Sequence, residues 1–119
     1  MLSVDDINLH YGAAQALRTV SIAARPGEVT CVLGRNGVGK TTLLRAITGH
    51  QPISAGTITW NGEDISRMSP HARARAGIGY VPQGREIFPL LTVRENLETA
   101  FSALPRANRF VPEEIYTLF

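Results

Sequence analysis

The residues best suited to chemistry lie between positions 34 and 42. They follow the spacing Gly-x-x-x-x-Gly-Lys-Ser/Thr, in the order Gly34-Arg35-Asn36-Gly37-Val38-Gly39-Lys40-Thr41-Thr42. Glycines let the backbone curl so that successive N–H groups point inward around a phosphate, at the positive end of the helix that follows. The pattern predicts a site for a nucleoside triphosphate, in which Lys40, the only lysine of the chain, reaches the β- and γ-phosphates and Thr41 offers its hydroxyl to Mg²⁺.

The flanking sequence predicts the elements that position this loop. Residues 28–33 form a nearly unbroken apolar run, which is typical of a parallel strand buried on both faces, and the run ends at Gly34. Cys31 lies within it and is predicted to be a buried residue without a disulfide. After the loop, three apolar residues share one helical face, and they are Leu43, Leu44 and Ile47. Gly49 is predicted to end this helix. Strand, glycine loop and helix together favour a phosphate site over an inert turn.

Local signals predict the remaining elements. Strands are expected over 2–9, 16–23, 57–60 and 78–81, with a tight turn at Asn61-Gly62. Helices are expected from Pro70, capped by Ser69, from the capping box of Thr92 and Glu95 to about residue 104, and from Pro112. This order of elements is that of an α/β protein.

Composition restricts the class of partner. The chain has 119 residues and a net charge of +2, which is too small to argue for nucleic acid. Arg73 and Arg75 are two residues apart and face different ways on a helix, so they are interpreted as a solvated surface. The N-terminus has no basic segment followed by an apolar one, and the aliphatic runs are too short to cross a bilayer. A cytosolic chain is therefore expected, unless a partner tethers it.

The order of the motifs resembles that of the ATP-binding subunits of ABC transporters over essentially the whole length. Tyr11 and Gly12 follow the first predicted strand, the glycine loop follows, and Tyr80-Val81-Pro82-Gln83 comes at the end of a later one. The resemblance implies a P-loop NTPase of the ABC type. Its parts would be an N-terminal antiparallel β subdomain, an incomplete RecA-like core and the start of the helical subdomain.

The same resemblance implies a role for each site residue. Tyr11 would stack on the adenine of ATP, and Gln83 would contact Mg²⁺ and the attacking water and link the nucleotide to the membrane partner. Thr42 would contact an α-phosphate oxygen. The other phosphate-binding positions would be Gly34, Asn36, Gly37, Val38, Gly39, Lys40 and Thr41. Lys40 and Gln83 would be the catalytic residues, and Thr41 and Gln83 the Mg²⁺ ligands.

Longer stretches are similar to the ATPases of the hydrophobic-amino-acid uptake group. They are residues 34–42, 80–89 and 91–97, and within the group they are most similar to the second ATP-binding subunit of urea importers, with the branched-chain amino acid importers as near relatives. The resemblance implies several partners: transmembrane permease subunits, a second ATP-binding subunit and, indirectly, a periplasmic solute-binding protein. It implies a location on the inner face of the cell membrane, through the permease.

The sequence departs from the family pattern in what it lacks. It has no Leu-Ser-Gly-Gly-Gln signature, no apolar run ending in Asp-Glu and no histidine after His71. We therefore expect residues 1–119 to be a partial nucleotide-binding domain, cut inside its helical subdomain, with the faces of its buried strands left open. Two hypotheses remain: the nucleotide-binding half of a transport ATPase, or a truncated fragment that holds ATP and does not cleave it. A P-loop GTPase or kinase is disfavoured by Tyr11, by the Gln83 motif and by the absence of the Asn-Lys-x-Asp guanine motif.

Overall fold

The computed structural model of the chain describes residues 1–37, 39–84 and 86–118. The chain divides into two compact units, Met1–Ile78 and Gly79–Phe119. The glycine loop and the helix after it belong to the first unit. Gln83 belongs to the second.

The first unit contains an antiparallel sheet of four strands. The strands are β1 (Leu2–Tyr11), β2 (Ala14–Ala24), β3 (Ala55–Trp60) and β4 (Glu63–Asp64). Their order across the sheet is β2-β1-β3-β4, with every neighbouring pair antiparallel. The predicted N-terminal antiparallel β subdomain is therefore confirmed.

A bulge in β1 keeps its apolar residues on one face. Val4, Ile7 and Leu9 are all fully buried, although the step from 4 to 7 breaks the two-residue period of a strand. The register of β1 with both neighbours shifts between these positions, and Asp6 takes a positive φ of 50° there. The Asp6 N–H donates to the Ser21 hydroxyl at 2.8 Å instead of to a carbonyl of the ladder. The bulge thus absorbs the extra residue that would otherwise turn the rest of β1 outward.

Helix α1 (Lys40–Thr48) packs its apolar face on this sheet. Leu43, Ala46 and Ile47 are buried with the apolar residues of the strands, whereas Leu44, predicted on one face with Leu43 and Ile47, is 45% exposed and does not share their burial. Leu44 lies about 100° around the helix from Leu43, outside the buried stripe. Gly49 ends α1 in the left-handed conformation, as predicted.

The turn and capping signals after α1 are confirmed. Asn61 and Gly62 both take positive φ in the turn between β3 and β4, as a type I′ hairpin requires. Helix α2 (Pro70–Arg75) begins with the Ser69 hydroxyl accepting from the Ala72 N–H. The Trp60 indole N–H donates to the Ala76 carbonyl at 2.9 Å, which fixes the end of α2 to the end of β3.

The two predicted buried strands of the core are not formed among the described residues. Residues 28–33 and 78–81 pair with no strand of the described sheet. Val29 and Leu33 are 92% and 88% exposed, and Cys31 is exposed, so the prediction of a buried thiol is wrong. A strand needs a neighbour for its N–H and C=O groups, and no described strand supplies one. The expectation that the apolar faces of these segments would lie open is confirmed at Val29, Leu33 and Val81.

The second unit is built from short helices. They are α3 (Val93–Glu98), two 3₁₀ turns at Thr99–Ala103 and Arg106–Asn108, and α4 (Glu113–Leu118). The capping box of Thr92 and Glu95 is confirmed, and the predicted helix continues to residue 103 in 3₁₀ form. In the ranges that the structure describes, no helix has the length and apolarity needed to cross a membrane.

Candidate nucleotide-binding site

The glycine loop adopts backbone angles that only glycine takes without strain. Gly37 and Gly39 have φ of 83° and 104°. A Cβ on Gly39 would lie 3.0 Å from Cδ2 of Leu17 and 3.3 Å from the carbonyl oxygen of Ala16, both on β2. Gly39 is therefore needed twice, for the turn of the loop and for the close approach of α1 to the sheet.

The Lys40 ammonium lies over the loop. It donates to the carbonyl oxygens of Gly34 and of Arg35, the latter at 3.0 Å. A lysine ammonium has three N–H donors, so one remains for a ligand. The loop carbonyls thus hold the Lys40 ammonium beside the loop, where it can contact a phosphate that the loop binds.

The N-terminus of α1 is left without a cap from its own sequence. Gly39 supplies no side-chain hydrogen bond, and the first turn holds no acidic residue. Helices α2 and α3, in contrast, begin with side-chain caps from Ser69 and Thr92. Lys40 adds a positive charge at the positive end of the α1 dipole, which is unfavourable unless an anion is bound. The residues present therefore fit a phosphate group.

Tyr11 is brought to the first turn of α1. It is the last residue of β1, and its hydroxyl lies 3.3 Å from Oγ1 of Thr42. Tyr11 is 43% exposed. The structure thus places Tyr11 beside the phosphate loop. Its stacking on adenine stays a prediction.

The structure groups most of the predicted site residues in the first unit. The loop residues Gly34, Asn36, Gly37 and Gly39, the helix residues Lys40, Thr41 and Thr42, and Tyr11 all belong to it. Val38 lies outside the described residues. Gln83 is exposed in a bend of the second unit, so its approach to the Lys40 side of the site stays a prediction.

The expected metal site is not a cluster of acidic residues. In the described ranges, no group of three His, Cys, Asp or Glu side chains is placed to hold a metal ion. Mg²⁺ usually binds through one or two protein oxygens together with waters and substrate phosphates. The exposed hydroxyl of Thr41, in the first turn of α1, fits such a site.

One residue near the other end of α1 was interpreted wrongly from the sequence. Arg73 was assigned to a solvated surface, but it is only 4% exposed, while its neighbour Arg75 is exposed as predicted. Burial lowers the pKa of the Arg73 guanidinium, which still stays charged because the ordinary pKa of arginine is far above neutral pH. No local signal in Ala72-Arg73-Ala74-Arg75-Ala76 distinguishes the two arginines, since what buries Arg73 is a contact with α1, distant in sequence.

Comparison with known proteins agrees with this geometry. Residues 17–116 match the family described as ABC transporter. The high-affinity branched-chain amino acid transport ATP-binding protein BraG of Pseudomonas aeruginosa is 40% identical over 97 residues, which are 82% of this chain and 42% of that protein. The lipopolysaccharide export system ATP-binding protein LptB of Escherichia coli is 41% identical over 96 residues, 81% of this chain and 40% of that protein.

A solved structure gives the same result for the fold. The ADP conformation of an ATP-binding cassette of an ABC transporter matches with a TM-score of 0.73 and 30% identity, covering 100% of this chain and 45% of that one. The chain spans less than half the length of each of these three relatives. Because relatives named for different solutes match at similar identity, the hydrophobic-amino-acid uptake group is not singled out. The chain belongs to the ABC transporter family and has the P-loop NTPase fold of its ATP-binding domains, with the N-terminal antiparallel sheet.

Proposed function

We propose that this chain is the nucleotide-binding half of a subunit that hydrolyses ATP to drive import of a solute. The observation that carries the proposal is the end of α1, where an uncapped N-terminus, a glycine loop and the Lys40 ammonium converge. Each of the three favours a phosphate, and a polyphosphate satisfies all of them at once.

We assign each group a role toward the bound nucleotide. Backbone N–H groups of residues 36–42, Val38 included, hold the phosphates together with Gly34, which opens the loop. Lys40 neutralises charge on the β- and γ-phosphates, and Thr42 contacts the α-phosphate. Thr41 and Gln83 would hold Mg²⁺, which would neutralise negative charge on the phosphates. Tyr11, beside Thr42, holds the adenine by stacking.

The proposal is tested by the affinity of the chain for Mg-ATP. Lys40→Ala removes a charge-assisted contact of about 1.5–3 kcal/mol, so the dissociation constant should rise at least about tenfold. Arg45→Ala is the matched control, because Arg45 is an exposed base in the last turn of the same helix. Calorimetric titration of the wild type and both variants gives the comparison. Equal affinity of the wild type and Lys40→Ala would refute the assignment.

A protein partner is supported by the surface that follows Gln83 in the sequence. Three large apolar residues are exposed there, Ile87 by 65%, Phe88 by 56% and Leu90 by 98%. The side chain of Asn96 holds this segment, accepting from the Phe88 N–H and donating to the carbonyls of Phe88, Leu91 and Thr92. A fixed exposed apolar surface marks a binding site for another protein.

We assign that partner to a transmembrane permease subunit, which would place the chain at the inner face of the membrane. A second ATP-binding subunit would complete the site, and a periplasmic solute-binding protein would act indirectly. The proposed solute is urea or a branched-chain amino acid, and the similarity to BraG supports the latter. Uptake of each labelled solute by cells that carry or lack the gene decides between them, and uptake of neither would refute the assignment.

A second function, a fragment that binds ATP without cleaving it, is favoured by one observation. The sequence contains neither the Leu-Ser-Gly-Gly-Gln signature nor an apolar run ending in Asp-Glu. Residues 1–119 alone should therefore release no phosphate from Mg-ATP, whatever their affinity. Measurable turnover by the purified chain would overturn this and would require a catalytic base within it.

A further inference from the structure

Arg73 is a buried charge without a carboxylate partner. Among the described residues, no carboxylate forms an ion pair with it. Its guanidinium instead donates to four carbonyl oxygens: Met68 at 3.0 Å, Ser66 at 3.0 Å, Ala46 at 2.7 Å and Ile47 at 3.0 Å. A guanidinium is planar and rigid, so four such bonds fix the relative positions of the groups that accept them.

The four acceptors lie in two parts of the chain, helix α1 and the segment between β4 and α2. Ala46 and Ile47 lie in the last turn of α1, where the dipole is negative and the carbonyls lack the usual partner four residues on. The Ala46 carbonyl also accepts from the Gly49 N–H at 3.3 Å. Ser66 and Met68 lie between β4 and α2. Gly49 leaves room for the contact, because a Cβ there would lie 3.0 Å from Nε of Arg73. One side chain therefore joins the end of α1 to the segment that leads into α2.

These bonds provide a restraint that the core does not. Leu43, Ala46 and Ile47 hold α1 on the sheet by apolar packing, which has no preferred direction and therefore opposes shifts along the helix axis less specifically than hydrogen bonds do. The bonds from Arg73 are directional and oppose such shifts. The phosphate loop joins the other end of the same helix, about 10 Å from the Ala46 and Ile47 carbonyls at ~1.5 Å per residue. An axial shift of α1 therefore moves the loop by the same amount.

We propose that Arg73 is a positioning residue for the phosphate loop: it fixes α1 along its axis, so that Lys40 and the N–H groups of the first turn meet the phosphates in register. This inference rests on the proposed function, that the loop binds Mg-ATP. It assigns Arg73 no contact with the nucleotide.

The first experiment needs no nucleotide. Amide hydrogen exchange is measured on the full chain for the wild type, Arg73→Met and Arg73→Lys, with the exposed Arg75→Met as the matched control. In Arg73→Met, exchange should accelerate in the last turn of α1 and in residues 66–78, while β1 and β3 keep their protection. Unchanged exchange in α1 would overturn the proposal. Loss of protection throughout the sheet would also contradict it, because Arg73 would then maintain the whole fold rather than the seating of α1.

The second experiment measures Mg-ATP affinity of the same variants. Arg73→Met should bind about tenfold more weakly, the factor expected when one charge-assisted phosphate contact is lost. Arg73→Lys, which keeps the charge and part of the donors, should lie between Arg73→Met and the wild type, and Arg75→Met should match the wild type. Faster exchange in α1 with wild-type affinity would refute the positioning role. A wild type that fails to bind Mg-ATP would contradict the proposed function alone, because exchange still decides whether Arg73 fixes α1.

Discussion

Gly56 is the position where a single methyl group should do the most damage to the sheet. It lies on β3 opposite the bulge of β1, between the pairs Asp5↔Thr57 and Asn8↔Ala55, with φ of 90°. A Cβ on Gly56 would overlap the carbonyl oxygen of Asp6 and would lie 2.6 Å from the Asp5 carbonyl oxygen and the Ile7 Cα. These are backbone atoms, so no rotation of a side chain relieves the overlap, and Gly56→Ala must force β1 and β3 apart.

The magnitude follows from two costs. A non-glycine residue in the left-handed region loses about 1–2 kcal/mol, and overpacking that shifts the backbone costs about 1–3 kcal/mol more. Gly56→Ala should therefore lower the free energy of unfolding by about 2–5 kcal/mol, a large part of the 5–15 kcal/mol of a typical domain. Gly62→Ala is the matched control, because Gly62 has φ of 82° and no atom within 4 Å of its Cβ position. The free energy of unfolding of Gly62→Ala should fall only by the first cost, that of the left-handed backbone.

Urea unfolding followed by the fluorescence of Trp60 measures both variants. Trp60 is the only tryptophan of the chain and ends β3, so its emission reports on the strand that the substitution displaces. We expect the urea midpoint of Gly56→Ala to lie well below the midpoint of Gly62→Ala. Equal midpoints would refute the reasoning, since they would mean that the bulge of β1 yields to a methyl group without loss.

Three further measurements test other parts of the chain. Tyr11→Phe should bind Mg-ATP nearly as well as the wild type, because it loses only the 3.3 Å contact with Thr42. Tyr11→Ala should lose the roughly 1–3 kcal/mol of binding free energy that a stacked base contributes. Equal affinity of the two variants for Mg-ATP would exclude stacking. The hydrogen bond from the Thr92 backbone N–H lowers the pKa of Glu95. The capping box should therefore be intact above the ordinary glutamate pKa and be lost as the pH falls through the lowered pKa of Glu95. The NMR resonance of the Thr92 amide should follow this transition in the wild type and should not follow it in Glu95→Gln. Cys31 is exposed and should react with a thiol reagent as fast in the native chain as in urea, and protection in the native chain would restore the buried-strand prediction.

The turns and helix starts that were predicted correctly depend on contacts within a few residues. Ser69 before Pro70, Thr92 with Glu95, and Asn61-Gly62 each contain both partners of the interaction in the same short segment. Such signals determine local structure whatever the rest of the chain does. The phosphate loop is of the same kind, since Lys40 donates to the carbonyls of Gly34 and Arg35 within it.

The errors arose where the partner is distant in sequence. Residues 28–33 have the composition of a buried strand. That composition indicates that a buried environment would be favourable for them, but it does not indicate whether a neighbouring strand is present. Arg73 is the reverse case, a residue with a surface composition that becomes buried because the last turn of α1 accepts its hydrogen bonds. The bulge of β1 was missed for the same reason, since it is defined by its pairing with β2 and β3.

The two ends of α1 differ in how their backbone groups are satisfied, and the difference favours ligand binding at the N-terminus. At its C-terminus, Gly49 and Arg73 satisfy the last carbonyls, so the negative end of the dipole is met within the protein. At its N-terminus, Gly39 provides no cap and Lys40 adds a charge of the same sign as the dipole. A helix that is fixed at one end and left unsatisfied at the other gains most from an anion at the open end, because binding then costs no movement of the helix. Arg73 and the phosphate loop are thus parts of one arrangement, and weakening either should lower the affinity for phosphate.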